Sequence, residues 1–178
     1  MTIDVYKHFS LIQNADLICV DPNDRLLIEF NYDKTVFKAN FLNFEIALGL
    51  KGKFQIENCL LSLKVVIECL KVCKIEVKDD IIQNTLRTIN WKGRMEKYKN
   101  PLDGQVVFDG AHNPQKMQSL IDSLIVYFPN RKFEFIVGFK KGKDVQEMLD
   151  IIIPHASKIY ITEFGYTQDF FIESVKIG

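Results

Sequence analysis

The sequence predicts an α/β protein in two pieces: antiparallel strands with two helices first, then a parallel sheet with crossover helices. Three observations carry that expectation. Over roughly the first 50 residues, apolar residues come in short β-branched or aromatic runs cut by polar turns. From Gln55 to Ile89 they recur at three- and four-residue steps, the period of a helix face. Beyond Asn90, strand-like and helix-like segments alternate, as parallel strands require because each needs a crossover to reach its neighbour.

Taken in order, Leu17 to Val20 (LICV) is a short apolar run, and Asp21-Pro22-Asn23-Asp24 is a strong turn signal. Leu26 to Asn31, Thr35 to Ala39 and Phe41 to Ala47 then suit an antiparallel meander. After Gly52, the residues Ile56, Cys59, Leu60, Leu63, Val66, Ile67 and Leu70 draw one buried stripe along a helix. Val77-Lys78-Asp79-Asp80 offers acidic N-cap candidates for a second helix carrying Ile81, Ile82, Leu86 and Ile89 and ending near Asn90. Val106 to Phe108 reads as a buried strand, and Asp109 to Pro114 (DGAHNP) as a turn with Asn113 as N-cap and Pro114 at the first helical position. Met117, Leu120, Ile121, Leu124, Ile125 and Phe128 mark the helix that follows. Phe133 to Phe139 is a strand, Val145 to Ile153 a helix, and Lys158 to Phe164 a third strand. The boundary between the pieces falls at about residue 90, giving segments 1–90 and 91–178.

Length and composition narrow the classes. At about 150 residues per domain, 178 residues make one domain or two small ones. A hydrophobic content of 47% supports a sizeable core and excludes a disordered or low-complexity chain. The 23 Lys and Arg balance the 23 Asp and Glu. A neutral chain has no overall electrostatic footprint for nucleic acid or an anionic membrane, so small molecules or proteins are the expected partners. No signal peptide or run of 18 apolar residues occurs, and a cytoplasmic setting is expected. The cysteines Cys19, Cys59, Cys69 and Cys73 form no CxxC pair and have no histidine at ligand spacing. They read as buried, reduced thiols rather than a zinc site.

DGAHNP is the most informative stretch for chemistry. A loop that leaves the carboxyl end of a strand and enters a helix sits where open α/β sheets bind ligands. The helix N-terminus beyond it offers unpaired N–H groups and a positive dipole end to a phosphate. Asp109 supplies an acceptor and His112 a proton-sensitive donor; a plain capped turn with an exposed histidine is the alternative. In Trp91-Lys92-Gly93-Arg94, the guanidinium of Arg94 suits phosphate, and Trp91 either walls a pocket or closes the junction between the halves. Gln55 and Asn58 share a helix face and either read an adenine edge or cap the helix. Gly138 to Asp144 (GFKKGKD) is not a phosphate loop: its glycines stand one residue too close, and Asp144 replaces the magnesium-binding hydroxyl. It remains a basic loop at a strand end. Phe164, Phe170 and Phe171 read as core aromatics.

Four segments in this order resemble the folylpolyglutamate synthase and dihydrofolate synthase family of the Mur ligase superfamily. GKFQIEN (52–58) resembles its glycine, histidine, glutamine, two variable residues, asparagine motif. WKGRMEK (91–97) resembles its Gly-Arg element, VVFDGAHNP (106–114) its most specific signature, and GFKKGKDVQEML (138–149) its Asp-Lys-Asp strand–loop–helix segment. The resemblance runs from roughly Ala39 to Glu163.

It implies a Rossmann-like Mur ligase C-terminal domain with a parallel βαβαβ sheet, preceded by the antiparallel-strand and helical tail of the central ATPase domain. It also implies ATP-dependent addition of L-glutamate to a folate or dihydropteroate carboxylate through an acyl phosphate. By position, Asn58 is implied as the adenine-side amide and Arg94 as the arginine that reaches the ATP phosphates. Asp109 is implied as the nucleotide-contacting acid and His112 as a residue near the phosphates, with Arg94 and His112 carrying catalysis. ATP and Mg2+ are the implied cofactors, the metal ligands lying upstream of this chain, and the parent enzyme is implied to be monomeric.

Three departures accompany the match. Phe54 stands where the family has histidine, and Gly142 stands where it has aspartate ahead of Lys143. The family's P-loop, magnesium-binding Glu and His, and carbamylated lysine have no counterpart here. The chain is therefore expected to be a fragment, truncated at both ends and inactive alone. Ligation of a different acid by a Mur-type enzyme, and a non-catalytic remnant that binds a nucleotide or a protein, are the alternatives.

Overall fold

The computed structural model describes residues 3–21, 23–99, 105–140 and 142–162. The first element is one the sequence pattern did not signal, a helix α1 over Ile3–Ile12. Tyr6, Phe9 and Ile12 recur every three residues along it, yet none of its residues is buried. The first fifty residues are thus not wholly β-rich. Leu17 to Val20 forms no strand either: it has no ladder partner, and Val20 alone packs against a core.

The expected meander follows as β1 (Arg25–Phe30), β2 (Thr35–Ala39) and β3 (Glu45–Ala47), an antiparallel sheet in that order. β3 is shorter than its sequence run, because Phe41 to Phe44 make the turn into it. Helix α2 spans Lys53–Cys73 and α3 spans Asp79–Thr88. Lys78, not an aspartate, is the N-cap of α3; Asp79 and Asp80 sit in its first turn, where carboxylates suit the dipole. Phe37, Ile46, Ile56 and Leu60 are fully enclosed between this sheet and α2. Each enclosed side chain of that size contributes about 1.5–3 kcal/mol relative to exposure.

The second half runs β4 (Glu96–Lys99), β5 (Gln105–Phe108), α4 (Pro114–Tyr127), β6 (Phe133–Val137), α5 (Val145–Ile152), a 3₁₀ turn Ile153–His155 and β7 (Ala156–Ile161). β6 and β7 form a parallel pair, connected by a crossover through α5. The ladder bonds of β5 go instead to β4, antiparallel, so among the described residues the parallel ladder holds β6 and β7. β5 is also less buried than its apolar sequence suggests. Val107 packs against the core, while Val106 and Phe108 stand 47% and 59% exposed on the alternate face.

A second core gathers Met95, Met117, Ile121, Leu124, Phe135, Met148, Leu149 and Ile152 from α4, β6, α5 and the approach to β4. Phe30, Tyr32 and Phe54 reach across from the first half to pack on it. The thiols depart from expectation: Cys59 is buried, but Cys19, ahead of β1, and Cys69 and Cys73, in the last turns of α2, are exposed. No helix among the described residues is long and apolar enough to cross a membrane. Phe164, Phe170 and Phe171, and the end of the third predicted strand, lie outside the described residues.

Candidate functional site

Two backbone corners meet at the site. In the first, Gly93 and Met95 both adopt positive φ, 68° and 50°, so Arg94 is presented between two left-handed residues. Gly93 donates its N–H to Glu96 Oε2 (2.8 Å), which holds that carboxyl below its usual range. The second corner is the DGAHNP loop between β5 and α4. The Gly110 N–H donates to the Gly93 carbonyl (2.9 Å) and ties the corners together. A β-carbon on Gly110 would stand 3.2 Å from the Arg94 guanidinium, which shows how closely that side chain crosses the loop.

Asp109 binds backbone. Its Oδ2 accepts the Met95 N–H (2.9 Å), and its carboxylate also accepts the Ala111 N–H. Burial pushes its pKa up from the ordinary value, against the pull of those two N–H groups and of the Arg94 and Lys116 charges. The effect of removing a carboxylate from water outweighs its partners here.

His112 is exposed and held at both ring nitrogens. Nδ1 lies 2.9 Å from the Gly110 carbonyl and Nε2 lies 3.3 Å from Lys116 Nζ. A carbonyl only accepts and an ammonium only donates, so these contacts suit a ring that donates from Nδ1 and accepts at Nε2. Lys116 is the site residue that sequence reasoning passed over. Its signal was present: it lies four residues after His112, and a cation in the first turn of a helix opposes the dipole.

The helix end offers an anion less than the sequence suggests. Asn113 caps α4 as expected, its side chain accepting from the Lys116 N–H (2.9 Å) while its carbonyl takes the Met117 N–H. Pro114 has no N–H. The Gln115 N–H is what remains for a ligand in that turn, so positive potential comes mainly from Arg94 and Lys116.

Asn58 lies apart. It is exposed on α2, and its Nδ2 donates to Oε1 of buried Gln55 (3.0 Å), so the two amides share a face as their spacing implied. No contact joins it to Arg94, Asp109 or His112. The link is indirect, through the start of α2: the Gly52 N–H donates to Tyr127 Oη (2.8 Å) and the Lys53 N–H to Ser123 Oγ (3.1 Å), both on α4. Side chains of α4 therefore do the capping that Gly52 cannot. Phe54, at the position expected for histidine, lays its ring over Gly52, where a β-carbon would come within 2.6 Å of it. Trp91 is 65% exposed and closes no junction among the described residues. In the basic loop, Gly142 takes φ 78°, and neither Lys143 nor Asp144 contacts the Arg94 corner. Lys141 lies outside the described residues. Among the described residues no three His, Cys, Asp or Glu side chains come together as a metal site would need.

Residues 93–171 match the family model for the C-terminal domain of dihydrofolate synthetase. The chain is 25% identical over 136 residues to the dihydrofolate synthetase of Saccharomyces cerevisiae, covering 70% of this chain and 31% of that protein. It is 25% identical over 163 residues to the dihydrofolate synthase/folylpolyglutamate synthase of Bacillus subtilis, covering 91% and 37%. The chain thus spans well under half the length of these relatives. In structure it resembles the Mycobacterium tuberculosis folylpolyglutamate synthase solved with ADP and AMPPCP, with a TM-score of 0.73 at 20% identity, covering 89% of this chain and 36% of that one. The likeness establishes a shared fold of mixed helices and strands with a parallel strand pair.

Proposed function

We propose that this chain, which resembles the C-terminal portion of the folylpolyglutamate and dihydrofolate synthases, forms the nucleotide-facing back part of an ATP-dependent ligase. That ligase would join the amine of L-glutamate to the carboxylate of a folate or dihydropteroate. Residues 1–90 are then the tail of the central ATPase domain and 91–178 a C-terminal domain. The setting is cytoplasmic and the parent monomeric. The observation that carries the reading is the convergence of Arg94, His112 and Lys116 on one loop whose backbone is locked by Asp109.

In such a reaction an acid oxygen attacks the γ-phosphorus as ADP departs. The glutamate amine then attacks the acyl carbon and expels phosphate. Negative charge spreads over the transferred oxygens, and fixed cations stabilise it. Arg94 is suited to that work: half-buried, and crossing Gly110 within contact distance. Lys116 adds a second charge beside His112 Nε2, where a phosphate would compete for the ammonium. Asn58 would present its free amide acceptor and remaining N–H to a base edge. Asp109, implied by resemblance as a nucleotide contact, spends its carboxylate on Met95 and Ala111, and in this reading shapes the loop. Magnesium, when bound, would supply charge neutralisation to the phosphates, and among the described residues no three His, Cys, Asp or Glu side chains come together to hold it.

The test is ATP- and glutamate-dependent ligation by the longer protein that carries this chain, with folate and pteroate acceptors. Turnover is expected, and Arg94→Ala should lower kcat about a hundredfold or more. Ligation of another acid alone would move the chain to a different Mur-type substrate. No turnover with any acid, but retained ADP binding, would make it a nucleotide-binding remnant.

A further inference from the structure

The Arg94 corner is held from outside by a residue that no motif contains. Tyr32 sits in the turn between β1 and β2, and its hydroxyl donates to the Met95 carbonyl (2.8 Å) across 63 residues of sequence. The turn is stiff. Asn31 Oδ1 accepts the N–H groups of Asp33 (3.0 Å) and Lys34 (2.8 Å), and the Asn31 N–H donates back to the Lys34 carbonyl. The ring is wedged as well, edge-on to Tyr127 with centroids 5.3 Å apart and 5.7 Å from Phe128. Lys97 Nζ lies over it at 4.7 Å from the centroid.

Met95 needs such support. It is fully buried, and its φ of 50° is a left-handed conformation that an L side chain adopts at a cost. Both of its polar backbone groups are held by side chains, the carbonyl by Tyr32 and the N–H by Asp109. A strained residue persists where its surroundings over-determine it, and here two distant parts of the chain do so. A continuous line of bonds therefore runs from the first sheet, through Met95, to the carboxylate that locks the DGAHNP loop.

We propose that Tyr32 is a positioning residue for the Arg94–Asp109 site: by fixing the Met95 peptide it sets the corner that presents Arg94. Its importance for ligation rests on the function proposed above, but its action on Asp109 does not. The charged groups facing Asp109 are Arg94 and Lys116, and Tyr32 reaches it through Met95 alone.

The test uses Tyr32→Phe, which keeps the ring contacts and removes the donor, with Tyr160→Phe on β7 as control. Amide exchange at Met95 and Gly110 should quicken about tenfold in Tyr32→Phe and not in the control, as loss of one hydrogen bond to a buried carbonyl implies. The Asp109 carboxyl, followed by carbon-detected NMR through a pH titration, should titrate about half a unit or more higher as the Met95 N–H withdraws. Unchanged exchange together with an unchanged Asp109 midpoint would overturn the proposal. Were the variant unfolded, the wild-type protein still decides: Met95 and Gly110 amides exchanging as freely as exposed loops would overturn it. Neither measurement uses nucleotide, so failure here is distinct from failure of the ligase reading.

Discussion

Asp109 makes a quantitative test of how the site is built. Its carboxylate accepts two backbone N–H groups, from Met95 and Ala111, and is partly removed from water while carrying charge. Asp109→Ala strands both donors, at about 1–3 kcal/mol for each to the extent that it stays dry. Asp109→Asn keeps one acceptor oxygen and removes the desolvated charge, so the two losses differ. At neutral pH we expect alanine to destabilise by about 2–4 kcal/mol and asparagine by about 1. With a urea slope of about 1–3 kcal/mol per molar, the two midpoints should stand roughly half a molar or more apart. The pH dependence has a definite sign. The folded pKa lies above the ordinary value of 3.8, so in the interval between them the native state binds more protons than the unfolded chain. Stability contributed by Asp109 therefore falls as pH rises through that interval, and the lead of wild type over Asp109→Asn should be larger near pH 4 than near pH 7. Urea melts followed by circular dichroism at several pH values measure this. Equal midpoints for the two variants, or a lead that grows with pH, would refute the account of Asp109 as a desolvated backbone clamp.

Two further outcomes follow from close packing and burial. Gly49 donates to the Leu86 carbonyl, and a β-carbon there would sit 2.4 Å from the Ile89 carbonyl oxygen and 2.8 Å from that of Arg87. Gly49→Ala must push backbone apart, which should cost about 2–3 kcal/mol and lower Tm by about 5–10 °C; a Tm within error of wild type would contradict the packing. The thiols should divide into classes. Burial pushes the Cys59 thiol up to about 12, whereas Cys19, Cys69 and Cys73 are exposed. An aromatic disulfide reagent should titrate three thiols quickly and Cys59 on unfolding, and Cys59→Ser should leave the fast count unchanged.

Much of the fold was legible because periodicity and turn chemistry are local properties. The apolar stripe from Ile56 to Leu70 draws α2 wherever the chain sits, and Asn113-Pro114 starts α4 as a cap followed by a residue that lacks an N–H. The same reasoning missed α1, which no core stabilises, and β4, whose sequence Glu96-Lys97-Tyr98-Lys99 carries no apolar alternation and forms through pairing with β5. It also assigned Val106 to Phe108 to a buried strand, because apolar runs do not say which face finds a partner.

The candidate site divides in the same way. Arg94, Asp109, His112 and Asn58 could be named from residue type and spacing, since a DGAHNP turn at a strand end has few uses. Lys116 was within reach, one helical turn from His112. What the carboxylate of Asp109 binds was not, because hydrogen-bond partners are set by proximity in space.

The sequence by itself therefore determined most of the elements from β1 onward, their order, and the chemical groups on offer: an arginine, an aspartate and a histidine at or beside one short loop. Tertiary structure alone decided the employment of those groups. It turned Asp109 toward the backbone, set His112 Nδ1 against the Gly110 carbonyl, and brought Tyr32 across 63 residues to Met95. Local patterns are written in energies between neighbours in the chain, whereas desolvation and hydrogen-bond partnership exist only once distant segments share the same space.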